Sequence, residues 1–371
     1  MTQLSYRAAW IDVDLGAIRY NVKQIKKRLS PTTKVYAVVK ANGYGHGDVE
    51  VGKTALQAGA SALAVALLEE AIRLRESGIT APILVLGRVA PEYVETAAKY
   101  KITLTFYQKD WLKQVKQQDF TEQLDVHLKL DTGMGRIGVQ KSEALVDILQ
   151  EMTDPRIHFQ GLFTHFATAD EGSLTYYEEQ KDKWESLRTV VESNWSNPVL
   201  MHTGNSAASM RFPDEMLDYV RFGISLYGLY PSPVVKEEKP IPLKPALSLH
   251  AQLVHVKKVS PGMSVSYGAT YTATEEEWIG TIPLGYADGL RRKLQGTDVL
   301  IAGKRMKIVG KICMDQCMVK LDQAYPIGTQ VTLIGRMQDE EITMDEMAEN
   351  LNTINYEVAC MLSNRIPRYY K

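Results

Sequence analysis

Leu15, Ile18, Val22, Ile25 and Leu29 recur at the spacing of one helical face, and Asp14 stands where an N-cap would. The pattern then changes. Val35, Ala37, Val38 and Val39 form a short run rich in β-branched residues, as in a strand buried on both faces. From there the two patterns alternate. Helices are predicted over 48–59, 69–77 (with Gly78 as its stop), 91–100, 110–118, 141–152, 174–193 and 206–210. Between them lie strands over 62–66, 82–87, 102–107, 125–130, 159–165, 199–202 and 219–222. Counted from Val35 this gives eight buried-type strands separated by helices, which suits a TIM-type (β/α)8 barrel. An open doubly wound sheet is the other candidate, but it would need fewer strands or a switch in strand order.

After Tyr230 the character shifts. PSPVVKEEKPIPLKP breaks both periods and reads as a linker. Beyond it come short β-prone runs over 247–257, 265–271, 278–283, 299–302, 306–309, 318–321 and 331–334, with a short helix over 345–351. The expected organisation is a barrel over 1–235 and a smaller, mainly β domain over 236–371. Residues 1–12 are a candidate for packing on the C-terminal domain.

At 371 residues two domains are the natural expectation. Forty-three basic against 44 acidic residues give a net charge of −1, which makes no electrostatic case for nucleic acid or an anionic membrane. The longest apolar run, Ala62 to Leu68, is too short to span a bilayer, and the N-terminal residues do not resemble a signal peptide. Cys313, Cys317 and Cys360 form no disulfide framework and read as packing residues, pointing to a reducing cytoplasm. No cysteine or histidine spacing suggests a metal site.

The chemistry is expected at the C-terminal ends of the barrel strands. Lys40; Lys129, Asp131 and Arg136; His165; His202, Asn205 and Ser206; and Arg221 each end or follow a different predicted strand. Any one of them alone would read as a satisfied polar group, and Lys40 as a surface lysine capping a strand. Convergence on one mouth changes that reading. A rigidly held, partly desolvated lysine can form an imine with a carbonyl cofactor. HTGNSAA and RFGISLYG offer hydroxyls and backbone N–H groups near the last two strands, where barrels often bind phosphate. Pyridoxal 5′-phosphate fits both requirements.

AVVKANGYGHG, LKLDTGMGRIG, THFATADE, HTGNSAA, VRFGISLYG, SYGATY, GYADG and CMDQCMV, in this order over nearly the whole chain, resemble the alanine racemase family. The resemblance implies a pyridoxal phosphate-binding barrel followed by a β domain, acting as a homodimer whose active sites are shared between subunits. It implies interconversion of L- and D-alanine, supplying D-alanine for peptidoglycan.

By the same resemblance Lys40 holds the cofactor as a Schiff base and is one acid/base. Tyr267, from the partner subunit, is the other. His165 and Arg221 connect Tyr267 to the pyridine ring, and Arg221 replaces the carboxylate that many such enzymes place there. A donor-only group leaves the ring nitrogen unprotonated and the ring a weaker electron sink. Tyr44, Ser206, Gly223, Ile224 and Tyr356 surround the phosphate, and Arg136 lies beside the ring oxygen and the substrate. His202 and Asn205 support them. Met314 and Asp315 line the substrate site from the partner, and Tyr286 and Tyr356 narrow it toward a methyl side chain. Asp170 and Glu171 belong to an access corridor. Lys129 matches a position that can be carbamylated; otherwise it is an ordinary lysine paired with Asp131. A barrel-type decarboxylase of basic amino acids and a non-enzymatic pyridoxal phosphate binder are the competing readings.

Overall fold

The computed structural model describes residues 6–371. By its internal contacts the chain forms two units, one of residues 17–43 and 48–245, the other of the residues up to 16, 44–47 and 246–371. The first strand, β1 (Ala9–Val13), belongs to the second unit.

The first unit is the expected barrel. Its strands are β2 (Lys34–Val38), β3 (Ala62–Val65), β4 (Ile83–Arg88), β5 (Thr103–Phe106), β6 (Leu124–Lys129), β7 (Ile157–Phe163), β8 (Leu200–His202) and β9 (Tyr219–Phe222). All pair in parallel, in the order β8-β7-β6-β5-β4-β3-β2-β9. Helices cover the outside and side chains fill the inside, so strands such as β3 and β9 are buried at every position. This is why they read as continuous apolar runs.

The ring closes without a ladder at one place. Among the described residues no ladder joins β8 to β9, because β8 is only three residues long. Single hydrogen bonds close the seam instead. The Met201 N–H donates to the Asp218 carboxylate (2.7 Å) and the Arg221 N–H to the Gly204 carbonyl (2.9 Å).

Two local expectations are corrected. The strand before Lys40 ends at Val38, and Lys40 opens a one-turn segment, Lys40–Tyr44, instead of ending the strand. The stretch read as a linker contains a short helix, Pro233–Glu238. Ser232 caps it by accepting from the Val235 N–H (3.3 Å), and Pro233 supplies the fixed φ of a first helical residue.

The second unit is mainly β. Its ten-stranded sheet runs His255–Val259, Glu277–Ile282, Cys317–Leu321, Lys304–Val309, Asp298–Ile301, Gln330–Met337, β10 (Leu247–Gln252), β1 and Arg368–Tyr370, with Glu340–Ile342 beside Gln330–Met337. β1 is antiparallel to β10 and parallel to Arg368–Tyr370. Two small helices precede the last strand. Met344–Leu351 is capped by Thr343, and Asn355–Met361 had no counterpart in the periodicity.

Candidate active site

Lys40 stands at the C-terminal end of β2, and the turn after it is strained. Ala41, Asn42, Gly43 and Tyr44 all lie in the left-handed region, with φ of 53°, 53°, 60° and 49°. A left-handed conformation costs about 1 kcal/mol or more for each residue with a side chain, so such a turn persists only if it is held. Glu70 holds it. This buried carboxylate accepts from the Ala41 N–H (2.6 Å), and its second oxygen from Ala66 (2.8 Å) and Leu67 (3.2 Å). The turn is also tied by the Gly43 N–H to the Val39 carbonyl (2.9 Å). Glu70 was missed in the sequence because it reads as an ordinary first-turn helix acid.

On β9, the strand paired with β2, Arg221 is the hub. It is 4% exposed, yet it makes no ion pair among the described residues. One terminal nitrogen donates to His202 Nδ1 (2.6 Å) and the His202 carbonyl (3.0 Å). The other donates to the Thr164 carbonyl (2.7 Å), the Thr203 carbonyl (2.8 Å) and His165 Nδ1 (3.2 Å). These carbonyls lie just beyond β7 and β8, so the side chain stitches the ends that the strands leave unpaired. Its Nε–H meets no acceptor among the described residues and is not a sealed orphan. Burial pulls the Arg221 pKa down to about 9. Burial, and then the Arg221 charge, push His165 and His202 far below the usual imidazole range, so both are neutral.

Lys129, 2% exposed at the end of β6, has its ammonium 5.3 Å from the Phe163 ring centre. Burial, with Arg221 and Arg136 adding repulsion, lowers it to about 7 despite the opposing pull of Asp131. Asp131 spends its carboxylate on Gly133 N–H, Gly135 N–H and the Gln140 amide. Arg136 sits on the exposed loop between them.

Around the last two strands, Asn205 caps the helix Ser206–Arg211 by accepting from the Ala208 N–H (2.9 Å). Ser206 Oγ accepts from the Gly223 N–H (2.9 Å), and Ile224 opens a 3-10 turn. This brings the two loops together, with backbone N–H groups at both helical starts.

Asp170 and Glu171 follow β7 in the barrel unit, and the remaining expected residues belong to the β unit, where they form two groups. Tyr44 and Tyr356 have ring centres 6.2 Å apart. The loop carrying Tyr44 is seated on the C-terminal segment. Gly45 (φ 79°) lies so close to the Ala359 carbonyl that a Cβ would stand 2.2 Å from it, and Arg368 Nε donates to the Gly45 carbonyl (3.0 Å).

Tyr267, Tyr286 and Met314 sit on three neighbouring loops. Ser266 Oγ donates to the Lys311 carbonyl (2.6 Å), while the Tyr286 and Ala287 N–H groups donate to the Cys313 and Met314 carbonyls (both 3.0 Å). All three are exposed: Tyr267 by 72%, Met314 by 54% and Tyr286 by 42%. Asp315 is exposed and paired with Arg365 (2.7 Å). Of the cysteines read as packing residues, Cys317 is buried, but Cys360 is exposed. No cluster of metal-ligating side chains occurs among the described residues.

One residue of the barrel cluster went unnoticed in the sequence. His127, at mid-strand in β6, meets His202 of β8 over the intervening β7 (Nδ1 to Nε2, 2.9 Å).

A lysine after the first strand of a parallel barrel, with an arginine and neutral imidazoles joined at the ends of its last strands, gathers polar side chains where barrel enzymes carry their sites. Comparison with known proteins narrows the class. Residues 13–231 match the N-terminal domain, and residues 246–370 the C-terminal domain, of alanine racemase. Alanine racemase 1 of Bacillus subtilis is 52% identical over 370 residues, covering 100% of this chain and 94% of its own. That of Geobacillus stearothermophilus is 52% identical over 98% and 94% of the two chains. The solved alanine racemase from Bacillus anthracis with bound L-Ala-P superposes with a TM-score of 0.97, at 44% identity over 99% and 96%. The chain belongs to the alanine racemase family.

Proposed function

We propose that this protein interconverts L- and D-alanine with pyridoxal 5′-phosphate, using Lys40 and Tyr267 as bases on opposite faces of the substrate α-carbon. Arg221 carries the reading. A donor-only guanidinium with an unclaimed Nε–H, and no carboxylate in contact, suits a pyridine nitrogen that stays unprotonated. A decarboxylase of basic amino acids would place a carboxylate there. The match over residues 246–370 supports a two-domain enzyme over a single-barrel binding protein.

The residues fit the cofactor. Lys40 would hold it covalently. Tyr44, Ser206, Gly223, Ile224 and Tyr356 would hold its phosphate, with Asn205 keeping the helix start in place. Arg136 and His165 would flank the ring. When bound, the cofactor supplies a carbonyl for the amino group and a ring that draws electron density from the α-carbon.

Lys40 Nζ takes or gives the α-proton on one face. Tyr267 Oη, from the partner subunit, does so on the other, since one base on one face would only return the proton it removed. His165, neutral and hydrogen-bonded to Arg221, would support the tyrosine's proton exchange. Arg136 and the Met314 backbone would hold the substrate carboxylate, Asp315 would line the site beside them, and Tyr286 and Tyr356 would narrow it toward a methyl side chain. Lys129, with its pKa lowered to about 7 and so partly neutral near pH 7, would add through Nζ to CO2, losing a proton to leave a carbamate that pairs with Arg136. The working form is a homodimer in the cytoplasm, and its product serves peptidoglycan synthesis. No helix among the described residues is long and apolar enough to cross a membrane, and Cys313, Cys317 and Cys360 are joined by no disulfide.

The test is to incubate purified protein with pyridoxal 5′-phosphate and L-alanine in D2O. Optical rotation should decay to zero, with deuterium at the α-carbon of both enantiomers and no CO2 released. CO2 release, or a bound chromophore with no turnover of alanine, would overturn the reading.

A further inference from the structure

His127 is one link of a longer chain. From Arg221 the hydrogen bonds run to His202 Nδ1 (2.6 Å), from His202 Nε2 to His127 Nδ1 (2.9 Å), and from His127 Nε2 to Gln160 Oε1 (3.1 Å). Gln160 Nε2 then donates to Asp125 Oδ2 (3.0 Å). The chain crosses the barrel interior from the end of the last strand to the beginning of β6. At its far end Asp125 Oδ1 also accepts from His158 Nδ1 (2.8 Å) and Gln123 Nε2 (3.0 Å).

Its two ends admit one direction only. A guanidinium has no acceptor, so His202 Nδ1 must offer a lone pair and carry its proton on Nε2. That proton makes His127 Nδ1 an acceptor and places the His127 proton on Nε2. The carboxylate of Asp125 has no donor, so Gln160 must turn its amide nitrogen outward and its oxygen toward His127. The orientation counted from the arginine is therefore the one counted from the aspartate.

The packing is built for this. A Cβ on Gly161 would stand 2.6–2.7 Å from three atoms of the His127 ring, so the position leaves room only for a bare backbone. His202 stacks on Phe163 (ring centres 4.7 Å apart, 12° between planes), which fixes its plane.

We propose that Asp125, Gln160 and His127 are positioning residues for the racemase site, and that this one-way chain locks the His202 tautomer and so orients Arg221. The physical benefit is charge compensation at a distance. Aligned dipoles present the negative end of each imidazole to the buried guanidinium, and neighbouring bonds polarise one another in the same sense. The arginine keeps its charge, while the nearest carboxylate on this path stays three side chains away, where it cannot hand a proton to the ring nitrogen. The proposal rests on the function above, but its main readout does not.

The experiment uses holoenzyme labelled with 15N at its seven histidines, their tautomers read from two-bond 15N–1H correlations and assigned by single His→Asn changes. In the native enzyme His127 and His202 should both be neutral with the proton on Nε2. Gln160→Leu should give His127 a mixture of tautomers and lower kcat about three- to tenfold, the loss of one hydrogen bond, with KM for alanine little changed. The paired exchange Asp125→Asn with Gln160→Glu moves the acceptor-only end one step inward and should restore both tautomers. Should Gln160→Leu not fold, Asp125→Asn alone, at a half-buried site, should show a minor Nδ1–H population on His127. A proton on Nδ1 of either ring in the native enzyme would overturn the proposal. So would unchanged tautomers in the folded single variants. If the holoenzyme does not racemise alanine but shows the expected tautomers, the functional reading fails and the chain stands.

Discussion

The strand-end cluster of the barrel and the tyrosine cluster of the β unit are built on opposite principles. Arg221, His202, His127 and Lys129 are buried, and apart from the Arg221 Nε–H the polar side-chain atoms of the first three are spent on one another, on His165 and Gln160, or on backbone carbonyls. Tyr267, Tyr286 and Met314 present their side chains to solvent from loops held by backbone hydrogen bonds, Tyr267 from a turn in which Ser266, Gly268 and Ala269 all have positive φ. A buried polar network must be complete within one chain, because an unpaired group there costs about 1–3 kcal/mol or more. An exposed apolar group carries no such requirement, and one on a strained, fixed turn reads as a group placed for something outside the chain. The barrel half is self-sufficient. The β half leaves these side chains exposed.

The sharpest way to break the comparison is through the two bases. Tyr267→Phe should lower racemisation by about 10²–10⁴-fold, as expected for loss of a general acid/base. It should leave the melting temperature unchanged, because the side chain is mostly exposed. Wash-out of α-deuterium should then survive from one enantiomer far better than from the other; equal loss from both would contradict face-specific bases. Mixing inactive Lys40→Ala and Tyr267→Phe proteins should restore part of the activity if sites are shared between subunits, since some mixed dimers hold one intact site. No recovery after subunit exchange would remove the shared-site reading.

Arg221→Met should act mainly on stability. It strips the carbonyls of Thr164, His202 and Thr203 of their donor, and a loss of about 3 kcal/mol or more in urea unfolding is expected. A smaller effect comes from pH. Burial holds the native pKa of His127 at about 4, below its ordinary value. As pH falls from 6.5 toward 4 the unfolded chain therefore binds a proton that the native chain refuses, and stability drops. His127→Asn should flatten that slope of unfolding free energy by about one proton, measured between those two pH values. Smallest is the cap of Met344–Leu351. Thr343→Ala should cost about 1 kcal/mol and leave kcat alone, because it loosens only one helix end of the β unit.

Much of the site was legible because of where it lies. Lys40, His165, His202, Asn205, Ser206 and Arg221 come at or after apolar runs, so a polar residue at a predicted strand end stands out. His127 and Gln160 do not, since they sit inside β6 and β7, where an inward polar side chain interrupts the run as any outward one would. Glu70 looked like the acid of a helix first turn. Its reach to Ala41, 29 residues earlier in the chain, is a property of β3 lying beside β2.

The sequence by itself determined the βα alternation, the count of eight barrel strands, the change to short strands after the barrel and the family motifs, because periodicity and local chemistry are properties of neighbours along the chain. Tertiary structure decided the rest. It put β1 and the Tyr44 loop with the C-terminal strands, left the β8–β9 seam for Arg221 to stitch, wound the turn after Lys40 left-handed, and aligned five side chains from four strands into one directed chain. Those outcomes depend on which strands lie side by side and which donors find acceptors across the barrel, and no spacing along the chain encodes that.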